Sequence, residues 1–74
     1  MVTSVRVTLD PGATLEELAR LEDHLVAVFG EVPTEWDDEH VGFSVEHMDR
    51  GSIEVRMAAI REDDPVVRGW KVVE

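Results

Sequence analysis

The stretch MDRGSIEVRMAAI, residues 48–60, decides how the second half of this chain folds. Ile53, Val55, Met57 and Ala59 alternate with Glu54, Arg56 and Ala58, the period of two that turns one face of a strand toward a core. Just upstream, Val41, Phe43, Val45 and His47 alternate in the same way with Gly42, Ser44 and Glu46. The two runs predict a hairpin. A two-residue turn at Arg50-Gly51 would oppose His47 to Glu54 and throw the apolar residues out of phase. A three-residue turn with Gly51 left-handed pairs Val45 with Val55 and Phe43 with Met57, so register selects the bulged turn and predicts strain for a β-branched residue at position 51.

Working outward, Thr3, Val5, Val7 and Leu9 alternate with Ser4, Arg6 and Thr8, which predicts a half-buried first strand ended by Asp10-Pro11-Gly12. Thr14 followed by Glu17 has capping-box spacing. Leu15, Leu18, Leu21, Leu25 and Phe29 recur at helical spacing up to Gly30, so a helix is expected over residues 15–29. Downstream of the predicted hairpin, residues 61–65 read as an acidic turn and 66–73 as a last strand. In that strand Val66, Trp70 and Val72 share one face, and Val67 and Val73 share the other. The expected fold is a single α+β domain over residues 1–74. Its order is β-α-β-β-β, a mostly antiparallel sheet of about four strands with one amphipathic helix on one face.

Seventy-four residues with 43% hydrophobic content form a domain near the size at which one core only just suffices. Without cysteine there is neither disulfide nor thiolate-bound zinc to staple it, so a homodimer is expected, with Val67, Val73 and the edge of the last strand as its surface. No apolar run approaches the ~20 residues of a membrane span and no basic region precedes an apolar core at the N-terminus, so a soluble, cytoplasmic protein with no membrane partner is expected.

Seventeen acids against seven bases give a net charge of −10, which repels phosphate backbones and disfavours direct nucleic-acid binding. Gly12, Gly30, Gly42, Gly51 and Gly69 form no phosphate-binding pattern, and Ser4, Ser44 and Ser52 stand in no nucleophile-elbow context. His40 and His47 lie an odd number apart on one predicted strand and point to opposite faces, which argues against a shared metal. No catalytic residue, metal or cofactor is expected.

What remains is PTEWDDEH, residues 33–40, where Trp36 is ringed by Glu35, Asp37, Asp38 and Glu39. A large ring with a charged rim is the anatomy of an interaction hot spot, and the same ring could equally fold back as a lid on the core. Together with Glu16, Glu17 and Asp23 on the outer face of the helix, these residues predict a small acidic interaction module that binds a basic surface on a protein partner. A DNA mimic is the alternative. A third reading, a small-ligand-binding or enzymatic βαββ oligomer, centres on His47 and Glu22. Glu22 projects into the apolar arc of the helix, either as a stem that packs or as a semi-buried functional acid.

Overall fold

The computed structural model describes residues 2–73. Strand β1 (Thr3–Leu9) shows the predicted strict alternation of buried and exposed residues. Helix α1 (Leu15–Phe29) opens on the predicted capping box. Thr14 Oγ1 accepts from the Glu17 backbone N–H at 3.2 Å, and Glu17 Oε1 accepts from the Thr14 N–H at 3.1 Å. It closes on Gly30, whose φ of 73° is the left-handed conformation that glycine adopts without a Cβ clash. Leu21, Leu25 and Phe29 are its buried stripe. Strands β2 (Glu35–Trp36) and β3 (His40–Val45) follow.

The expected hairpin does not form. Residues 50–63 are instead a second helix, α2 (Arg50–Asp63), and β4 (Val67–Val73) completes the chain. Asp49 caps α2 by accepting from the Ser52 N–H at 2.7 Å, and Ile53, Met57 and Ile60 make its buried stripe at spacings of four and three. Val55, expected inside a strand, is 72% exposed, so the alternation through it was a coincidence of composition. Gly51 lies in the first turn of α2 and, among the described residues, only Gly30 has a positive φ. The strain expected for a β-branched residue at 51 therefore has no backbone basis. Asp64 leaves the helical conformation before Pro65, whose ring disfavours a helical residue ahead of it, and the helix stops there.

The sheet order is β2-β3-β1-β4, and every neighbouring pair is antiparallel. The element order β-α-β-β-α-β is that of the split β-α-β, ferredoxin-like arrangement. Two helices, not one, cover the same face. Their buried stripes join Val5, Val7, Val41, Phe43 and Val72 in one core, where the Phe29 and Phe43 rings lie 5.1 Å apart at 44°. A bulge between Thr8 and Leu9 shifts the phase of β4, so Val67 sits opposite Leu9 and is buried, against the expectation that it would form an outer edge. The uncovered face carries Ser4, Arg6 and Thr8 from β1, Gly42 and Ser44 from β3, and Gly69, Lys71 and Val73 from β4. The first three stand opposite the last three in register. Glu54, Arg56 and Ala58, expected on that face, belong to α2 instead. No described helix is long and apolar enough to cross a membrane.

Candidate protein interface

The antiparallel order brings three loops to one end of the sheet: 10–14 after β1, 37–39 between β2 and β3, and 64–66 between α2 and β4. Two backbone hydrogen bonds tie them together. The Leu9 N–H donates to the Glu39 carbonyl at 2.7 Å and the Asp10 N–H to the Val66 carbonyl at 2.8 Å. Around this end stand Asp10, then Glu16 and Glu17 in the first turn of α1, Asp37, Asp38 and Glu39 in the hairpin turn, and Glu62 and Asp63 at the end of α2. Arg61 and Arg68 share this end with them, lining one depression there with Asp10, and Arg6 and Arg20 reach it through Asp37 and Asp64. Sequence separates these acids by as much as half the chain; strand order gathers them.

The turn is built by Asp37. Its Oδ1 accepts from the backbone N–H groups of Glu39 at 2.8 Å and His40 at 2.7 Å, and the His40 ring Nδ1 lies 3.3 Å away. Arg6, on the neighbouring central strand, brings its guanidinium to 3.9 Å from Asp37 Oδ2. The Glu39 N–H, helped by His40, favours the charged form and holds the Asp37 carboxyl below the usual aspartate range. Asp38 and Glu39 are exposed.

Trp36 stands opposite Val41 on the edge strand and is 40% exposed. It lines, with Arg6, Glu35, Asp37 and His40, an open depression of about 320 Å³ over the uncovered face of the sheet. Glu35 lies across Gly42, where an added Cβ would meet the Glu35 Cβ at 3.3 Å. A glycine at 42 thus lets the edge-strand carboxylate lie flat on the sheet. An adjoining depression of about 260 Å³ continues past Gly42 to Ser4, Ser44 and Val73.

The remaining residues singled out by sequence divide. Glu16 and Asp23 are exposed on α1, and Glu17 is exposed but engaged in the cap. Glu22 is half-buried and, among the described residues, makes neither hydrogen bond nor ion pair. His47 is exposed beyond the end of β3, and neither it nor Glu22 lines the two depressions on the sheet.

Sequence reading missed a second charged cluster. Asp64, 3% exposed, accepts from the His24 ring Nδ1 and faces the Arg20 Nε at 3.8 Å, so one buried carboxylate latches α1 to the corner where α2 turns into β4. Its one sequence signal was the spacing of Arg20 and His24, a single helical turn apart. Among the described residues no group of three or more His, Asp or Glu side chains is arranged to hold a metal ion. No protein-family model matches this chain, and no curated protein does.

Proposed function

We propose that this chain is a small cytoplasmic interaction module whose acidic end docks on a basic surface of a protein partner. The observation that carries the reading is the placement of Trp36, partly exposed, beside a depression bordered by Glu35 and Asp37 at the end where the acidic loops meet. An arginine from a partner suits such a place. Its planar guanidinium donates to two carboxylates at once, with the exposed Trp36 at the rim, whereas the surrounding acids mainly speed encounter. Exposed Glu16 and Asp23 extend the same potential along α1, and Glu17 adds to it from the cap.

The test begins with crosslinking and capture of the partner, then surface plasmon resonance across a salt series. Replacing Asp37, Asp38 and Glu39 together with Ser should slow association and flatten its salt dependence, and Trp36→Ala should speed dissociation. A triple variant that binds as the wild type does at every salt concentration would remove the reading. Preloading the partner with duplex DNA separates a docking module from a DNA mimic, since only the mimic loses its site.

A further inference from the structure

We infer that two copies of this chain associate through β4, extending the sheet across a two-fold axis. The two edges of the sheet differ in what they leave unpaired. At the β2 edge only two residues form a strand, Pro33 lies two residues before it, and acids follow it. At the other edge β4 runs for seven residues and pairs on one side only, with β1. In an antiparallel strand about half the backbone N–H and C=O groups point away from a single neighbour, and a long edge of this kind is a template for another strand.

Charge selects a second copy as the occupant. Two molecules of net charge −10 repel, and carboxylates at the acidic end bring the strongest repulsion. Residues 67–73 contain no acid and carry Arg68 and Lys71, so copies meeting along β4 approach with the least opposition. Above the strand, the flank of α2 carries both signs: Glu54, bonded to the Trp70 indole N–H at 2.9 Å, and Arg61 and Glu62, which border a recess with Trp70 and the small side chain of Ala58. Antiparallel apposition of two such flanks sets base against acid, the self-complementarity that an isologous interface needs. This association does not depend on the docking role proposed for Trp36 and residues 37–39, which stand at the opposite edge of the sheet.

Gly69 provides the test, because no heavy atom stands within 4 Å of the Cβ it would gain and its φ is not positive. A side chain there perturbs the seam without straining the fold. Analytical ultracentrifugation of the wild type at high micromolar concentration should show twice the 8.3 kDa chain mass. Gly69→Glu and Lys71→Glu, which place new carboxylates on both sides of the axis, should each weaken self-association by about tenfold or more. Leu15→Glu, on the exposed start of α1, should leave it unchanged. Amide hydrogen exchange over residues 67–73 should slow as concentration rises, whereas residues 35 and 36 should not respond. A wild type that stays monomeric throughout would overturn the proposal. So would folded glutamate variants, checked by circular dichroism, that dimerise as tightly as the wild type, or a Leu15→Glu variant that dissociates.

Discussion

The two tryptophans occupy matching places and have opposite surroundings. Each lies on an edge strand, Trp36 opposite Val41 and Trp70 opposite Val7, with its register neighbour buried in the core. Trp70 is half-buried, packs against the core and donates its indole N–H to Glu54 of α2. Trp36 is 40% exposed and, among the described residues, its indole N–H has no protein partner. The strands do not make this difference; the helices above them do. α2 packs along β4 and supplies a cover with an acceptor at the right height, whereas the two-residue β2 receives no such helix. An aromatic ring on a sheet edge is thus structural or available according to what crosses over it.

The contrast fails first if the cover is not held in place. Asp64 latches the end of α2 to α1, and Asp64→Ala removes the buried hydrogen-bond partner of His24 and the ion-pair partner of Arg20. A loss of about 3 kcal/mol is expected by thermal or denaturant melts. An unchanged melt would show that α2 needs no latch. A smaller effect sharpens the comparison directly. Trp70→Ala should cost about 2 kcal/mol through lost packing and the lost hydrogen bond to Glu54, against less than about 1 kcal/mol for Trp36→Ala. Equal losses would mean that Trp36 is as structural as Trp70.

The smallest effect concerns the turn that follows Trp36. The Asp37 carboxylate is bonded to backbone N–H groups only in the folded chain, so its pKa is lower folded than unfolded. The stability it adds is therefore complete above the unfolded aspartate pKa of about 4 and is lost as pH falls through the lower folded value. Asp37→Ala should lower the melting temperature slightly at neutral pH, and the gap from wild type should close on acidification below about pH 4. A gap that stays constant with pH would assign the effect to the turn backbone instead of the charge.

The parts legible in sequence were those with local causes. The alternation of β1 and the Thr14-Glu17 box of α1 each state their structure within a few residues, and Gly30 marks its stop. The run 53–60 carries two periods at once: 53, 55, 57 and 59 as a strand, and 53, 57 and 60 as a helix. The Asp49 cap on Ser52 favoured the helix, and the topology required it, since the free side of β1 can be reached antiparallel only by a chain that crosses the sheet before returning. That requirement lies outside the segment. The acids around Trp36 could be read from one loop, whereas the exposure of its ring and the gathering of Asp10, Glu16 and Glu62 near it depend on strand order and on where the helices lie.

The central position of β1 governs how the molecule is assembled. Ser4 pairs with Val73, 69 positions along the chain, and Thr3 with Val45. Neither partner is near in sequence, so both sides of the strand that organises the core close loops spanning most of the polypeptide. Such contacts return their energy only after the entropy of closure has been spent, which makes folding slow for a domain of this length. Until β4 arrives, β1 holds an open hydrogen-bonding edge beside Val5, Val7 and Leu9. Before β4 docks, that edge is where this acidic chain is most open to pairing with another molecule, and its net charge is the principal safeguard.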